Sequence, residues 1–366
     1  MQDGIIALYQ VVADSREEAQ RRAQDIAIEQ TVEVTEALCE RVFDRTVASV
    51  EGIFEVGPSR WLVRISFPAS VLSHEIPQVF SCLYGNISMK PGIRLLDISL
   101  CKDFARAFGG PRHGIEGVRR LVGAKDRPLL ASAIKPIGLC VSELASFAHD
   151  LALGGIDIIK DDHGIANQAI CPFEARVEAC SEAVAKANAA TGRKTLYCPT
   201  VTGPADQLIR RAERARDLGA GGLLLSPLVA GLDSMRAVSE ATGLPVIAHP
   251  ALSGVFFSSA DHGIAPECLL GTIMRLAGAD MVIFPGFGGR FPVGRDTCAK
   301  ISQALRAELS FLAPAFPMPA GGMTLERLSE LLDVFGKDVV FLIGSALYER
   351  SPDLVANARY FRSLVL

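Results

Sequence analysis

The chain has 366 residues, 49% hydrophobic and 21% charged, the balance of a folded protein with a large core and not of a disordered one. A net charge of −4 without any lysine or arginine run argues against a nucleic-acid surface. No apolar run nears the ~20 residues that cross a bilayer, and the N-terminus lacks a basic segment followed by an apolar one. Nine cysteines without a CxxC pair read as reduced thiols, so a soluble cytoplasmic protein is expected.

In chain order, "GIIALYQVVA" predicts a strand, and "SREEAQRRAQDIAIEQ" a helix with a serine cap and acidic first turn. Two alternating runs in "ASVEGIFEVGPSRWLVRISFPASV", separated by Gly-Pro-Ser, predict a hairpin. "EIPQVFSCLYGN" predicts a second helix and turn, and "GIRLLDISL" another strand. These elements suggest a compact α+β domain over residues 1–112.

After "FGGPRHG" the pattern changes. Short apolar runs ("LLASAIKP", "IDIIKDD", "TLYCPTVT", "GGLLLSP", "LPVIAHP", "MVIFPG", "PAFPMPAGG", "VVFLIGS") alternate with amphipathic helical stretches, and "SPDLVANARYFRSLVL" supplies the last helix. Continuously apolar strands are those of a buried parallel sheet. Eight such units predict a (β/α)8 TIM barrel over residues 113–366, an α/β architecture whose active sites lie where the strands end.

Those strand ends are polar. Lys135 in "AIKP" is either a surface lysine with a buried stem or a partly desolvated amine fit for proton transfer. In "IDIIKDDHG", alternation places Lys160 and Asp162 on one face and Asp161 on the other. The cluster is either a solvated loop or a cation site; CO2 added to Lys160 would make an anionic oxygen ligand suited to Mg2+. His249 in "IAHP" is either a satisfied core histidine or an acid/base group. Gly321 and Gly322 in "PAGG", with Gly344 and Ser345 in "IGS", form either tight turns or a phosphate cradle.

Taken in order, these motifs resemble the large subunit of ribulose-bisphosphate carboxylase/oxygenase (RuBisCO), and especially its non-carboxylating form IV relatives, the RuBisCO-like proteins. The resemblance implies Lys135 as an enolisation acid/base, Lys160 as a carbamate and Asp162 as a Mg2+ ligand, with His249 catalytic. It also implies a phosphate held by Gly321, Gly322, Gly344 and Ser345. In the N-terminal domain, "IEQT" and "YGN" resemble segments that complete a neighbouring subunit's barrel through Glu29, Thr31 and Asn86, which implies a homodimer with shared sites.

The departures are specific. His163 stands where the family has a metal-binding glutamate, leaving its place in the metal set (Lys160, Asp162, His163) open. Ile137 replaces a second lysine, Pro250 an arginine that binds a second phosphate, and Phe284 is read at the place of a strand-six histidine. The lid "FGGRFPVG" has no lysine, only Arg290. A second phosphate needs charged donors that Pro and Phe do not provide. The expected activity is therefore Mg2+-dependent enolisation of a monophosphorylated ketose, of the methylthioribulose 1-phosphate or diketo-methylthiopentyl phosphate type, with Phe284 beside an apolar tail. Alternatives are decarboxylation or carboxyl transfer on a branched sugar-acid phosphate (the 3-oxo-isoapionate 4-phosphate type), bisphosphate carboxylation, and a non-catalytic regulatory relative.

Overall fold

The computed structural model describes residues 4–34, 46–309, 312–324 and 326–366. The chain forms two compact units. The first holds Met1–Gly109, Leu252–Ala277 and Glu308–Leu312; the second holds Gly110–Ala251, Gly278–Ala307 and Ala313–Leu366.

The first unit is built on a five-stranded sheet of order β10-β4-β1-β3-β2. Strand β1 (Gly4–Val12) pairs antiparallel with β3 (Arg60–Pro68) and β4 (Ile93–Leu100), and β2 (Ser49–Gly57) forms the expected hairpin with β3. Alternation sets the faces: Ile5, Ala7, Tyr9 and Val11 are fully buried. The Ser15 side chain caps helix Arg16–Glu29 by accepting from the Glu18 amide at 3.2 Å. Helix Ile76–Tyr84 is tied to the sheet by the Tyr9 hydroxyl, which donates to the Leu83 carbonyl at 2.7 Å.

Segment Leu252–Ala277, expected inside the barrel run, belongs to this unit. The two-residue strand β10 (Gly263–Ile264) pairs in parallel with β4, and the Gly263 amide donates to the Tyr84 hydroxyl at 2.8 Å. The helical stretch that follows begins as a π-helix, Glu267–Ile273, and continues as Met274–Leu276.

The second unit holds the eight parallel strands of the (β/α)8 barrel. Its parallel strands are β5 (Leu129–Ile134), β6 (Ile158–Asp161), β7 (Leu196–Cys198), β8 (Leu223–Leu225), β9 (Val246–Ala248), β11 (Met281–Pro285), β12 (Phe316–Ala320) and β13 (Val340–Leu342). They form two four-stranded sheets, β13-β5-β6-β7 and β8-β9-β11-β12, joined where Thr200 bridges to Leu224. Ala131, Ile158, Cys198, Leu224, Ile247, Met281, Met318 and Val340 fill the interior. That packed layer closes the barrel below the C-terminal strand ends, and Lys160 lies above it. Among the described residues, no helix is long and apolar enough to cross a membrane.

Candidate active site

Lys160 lies two residues beyond Ile158 on the interior-facing side of β6, in register with Ala133 of β5 and Cys198 of β7. It is 3% exposed, and its Nζ donates to the Asp161 carbonyl at 2.9 Å. Burial is the main cause that brings its amine down to about 8, Lys135 adding to the effect and Asp162 and Asp161 opposing it.

Asp161 points the other way, as alternation requires. Its fully buried carboxylate accepts from Arg176 Nε at 3.1 Å, the Tyr197 hydroxyl at 2.7 Å and the Thr200 amide at 2.9 Å. With its acceptor positions so occupied, Asp161 is an anchor behind the site. Sequence reasoning missed Arg176, yet a signal was present: an arginine lies within the otherwise apolar buried stripe Phe173, Val177, Cys180 of helix Phe173–Thr191.

Asp162 follows the strand end and is partly exposed. Its Oδ1 accepts from His163 Nδ1 at 3.2 Å and from the Gly164 amide at 3.1 Å. The His163 hydrogen bond first, then the Gly164 amide and Lys160, hold the carboxyl well below the usual range, so it is an anion at working pH. The exposed His163 ring stacks on His249, with centroids 4.3 Å apart and planes 11° from parallel.

His249 Nδ1 accepts from the Ala251 amide at 3.1 Å, which assigns its proton to Nε2. Burial, then the nearby Lys160 and His163, bring the ring down to about 3. It is therefore a neutral N–H donor at physiological pH and a poor base. The unfolded chain protonates this ring near 6.5, so between pH 6.5 and 3 the unfolded state binds the extra proton. The stability contributed by the neutral ring is complete above pH 6.5 and lost as pH falls, at up to about 1.4 kcal/mol per pH unit. Urea unfolding at pH 7 and 4.5 should show a smaller acid loss in His249→Gln than in the parent; equal losses would contradict this assignment.

Lys135 leaves β5 with its Nζ 3.5 Å from Ser345 Oγ, and a Cβ on Gly344 would come within 3.0 Å of that nitrogen. The ends of β5 and β13 thus meet at the lysine. Lys135, Lys160, Asp162, His163 and His249 are brought together, each within electrostatic reach of another.

Other expected residues are placed differently. Gly321 and Gly322 have φ of +85° and +103°, and Gly321 accepts from the Arg290 amide at 2.9 Å. A Cβ on Gly322 would meet Gly289 Cα at 3.1 Å, so loop-to-loop packing is itself a reason for glycine there. The Arg290 guanidinium is exposed, 5.3 Å from the Phe291 ring centroid.

Phe284 corrects the sequence reading. Met281 and Ile283 point into the barrel core, so Phe284 faces outward, fully buried against Phe335 with centroids 6.2 Å apart. It cannot line a substrate tail, and its neighbour Ile283 is the interior-facing residue nearer the C-terminal end of that strand.

Glu29, Thr31 and Asn86 lie in the first unit. Asn86 Nδ2 donates to Glu29 Oε1 at 3.1 Å, Lys90 pairs with Glu29 at 2.7 Å, and the Thr31 hydroxyl donates to the Ala27 carbonyl at 2.6 Å.

A parallel (β/α)8 barrel with a lysine-carboxylate-histidine cluster at its strand ends is the class of protein defined so far. The family model for the ribulose bisphosphate carboxylase large chain, catalytic domain, matches residues 114–362. Ribulose bisphosphate carboxylase-like protein 1 of Rhodopseudomonas palustris is 42% identical over 371 residues, covering 100% of this chain and 98% of that protein. The crystal structure of a Rubisco-like protein from that organism superposes with a TM-score of 0.90 at 42% identity, covering 100% of this chain and 98% of its own. The 5-methylthioribulose-1-phosphate isomerase of Rhodospirillum rubrum is 40% identical, covering 99% of this chain and 96% of its own length. The 2,3-diketo-5-methylthiopentyl-1-phosphate enolase of Geobacillus thermodenitrificans is 35% identical, covering 87% and 80%. The chain belongs to the RuBisCO large-chain family, among its RuBisCO-like proteins.

Proposed function

We propose that this chain is an enolising isomerase of a monophosphorylated ketose, with 5-methylthioribulose 1-phosphate as the first candidate. The observation that carries the reading is the convergence of Lys135, Lys160, Asp162 and His249 at neighbouring strand ends, beside a Pro250 that offers no cationic donor. The names of two relatives, an isomerase and an enolase of methylthio-pentyl phosphates, support the substrate class.

The residues suit a hard divalent cation. An amine near 8 is roughly one quarter neutral at pH 7.5, enough to add CO2, and the carbamate with the Asp162 carboxylate gives anionic oxygens. We assign Lys160 and Asp162 to a Mg2+ site, with His163 as a third ligand through Nε2, since its Nδ1 is engaged by Asp162. Bound there, the ion would polarise the ketone and favour the charge that develops on its oxygen.

The chain's own residues do the rest. Lys135 takes the proton from the hydroxyl-bearing carbon beside the carbonyl and returns it to the former carbonyl carbon, while the hydroxyl proton passes to the former carbonyl oxygen, so the ketone moves by one carbon with no net change in protons. His249 donates a hydrogen bond from Nε2 to the developing oxyanion, which the neutral ring does without first gaining a proton. Gly321, Gly322, Gly344 and Ser345 hold the phosphate. Glu29, Thr31 and Asn86 complete a neighbouring protomer's site in a cytoplasmic homodimer. The enolase reaction on the diketo analogue is the second reading, favoured by the name of the Geobacillus relative.

Incubation with ribulose 1,5-bisphosphate and labelled bicarbonate should leave no acid-stable label, while methylthioribulose 1-phosphate is isomerised. Label incorporation at a rate comparable to the isomerisation would contradict the one-phosphate reading.

A further inference from the structure

We propose that Tyr348 is a positioning residue for Lys135, its ring face holding the lysine ammonium against the end of β13. The inference rests on the reading of Lys135 as the proton-transfer group.

The Lys135 Nζ lies 5.9 Å from the centroid of the Tyr348 ring, within the range of a cation–π contact. Its polar contact to Ser345 Oγ is 3.5 Å, at the long limit of a hydrogen bond, so it adds little attraction. The ring itself is fixed twice. Its hydroxyl donates to the Ala133 carbonyl at 2.8 Å, on the same strand two residues before the lysine. Phe147, from helix Val141–Gly154, packs against it with centroids 5.8 Å apart at 50°.

Lysine has a long, freely rotating stem, and an amine that moves a carbon-bound proton must stay within contact of that carbon. A ring pinned to the lysine's own strand keeps the amine in place, where no carboxylate among the described residues pairs with it. The Ser345 hydroxyl is then available to the substrate's phosphate. A tyrosine on the segment after β13 thus serves a lysine after β5.

Tyr348→Phe keeps the ring and loses the hydroxyl; Tyr348→Met fills a similar volume without a ring, and Tyr348→Leu is a second ringless variant should methionine fold poorly. With methylthioribulose 1-phosphate, the ringless variants should lose about tenfold in kcat with KM within about twofold, while the phenylalanine variant stays within about threefold of the parent. A second readout needs no substrate turnover: trace acetylation by acetic anhydride, with the Lys135 peptide quantified by mass spectrometry. Lys135 should label about fivefold faster in the ringless variants and by a clearly smaller factor in Tyr348→Phe, which keeps the ring and its Phe147 contact but loses the tie to Ala133. Parental labelling in the ringless variants would overturn the proposal, as would equal acceleration in all three. If labelling divides as expected but the parent enzyme moves no proton in any phosphorylated ketose, Tyr348 still holds Lys135 and the enolisation reading is what fails.

Discussion

Lys160→Met should lower kcat/KM for the metal-dependent reaction by roughly 10³-fold, the several kcal/mol that a positioned cation supplies. The same variant should melt no lower than the parent. Lys160 is buried with an amine brought down to about 8, so the fold bears a cost for keeping a charge there, and methionine refills the volume without it. Loss of its hydrogen bond to the Asp161 carbonyl costs only modestly. Lys160→Ala would add a cavity and mix packing with chemistry. Steady-state kinetics with and without Mg2+ and bicarbonate, beside thermal melts, make the check. Parental, metal-dependent activity in Lys160→Met would remove the carbamate assignment.

Arg176→Met should do the reverse and strike stability first. The Arg176–Asp161 pair is 3.1 Å long with both side chains at 0% exposure. Removing the arginine leaves a buried carboxylate with only Tyr197 and the Thr200 amide. Breaking such a pair costs about 3–5 kcal/mol, which corresponds to a melting point lower by roughly 5 °C in a chain of 366 residues. Activity should fall too, because Asp161 stands between Lys160 and Asp162 and anchors the end of β6. Replacing both partners, as Arg176→Met with Asp161→Leu, should recover part of the stability, since no unpaired charge remains. A double variant less stable than Arg176→Met alone would show that Asp161 is held by its other donors.

The barrel was legible because its eight strands are short, apolar and evenly spaced between amphipathic helices. Lys160 was legible for the same reason: two-residue alternation from Ile158 places it inward and Asp161 outward. Phe284 was misread because every residue of "MVIFP" is apolar, so alternation has no polar phase to reveal which face is which. Only the contact with Phe335, 51 positions along the chain, decides it. Segment Leu252–Ala277 was misassigned because its amphipathic pattern is that of any barrel helix. It is tied to the first unit by the two-residue pairing of β10 with β4 and by contacts such as the Arg60–Asp261 ion pair, none of which leaves a periodic mark. Tyr348 and Arg176 act through groups distant in sequence, and a reading of strand ends alone passes over both.

Removal of a carbon-bound proton from a ketose phosphate at this site is tested by proton NMR of 5-methylthioribulose 1-phosphate in D2O with the enzyme, Mg2+ and bicarbonate. The signal of the proton beside the carbonyl should disappear at an enzyme-dependent rate, and Lys135→Met should slow that loss by at least about a hundredfold. Retention of the proton signal with this ketose and with the other phosphorylated ketoses, under the same conditions, would contradict the account.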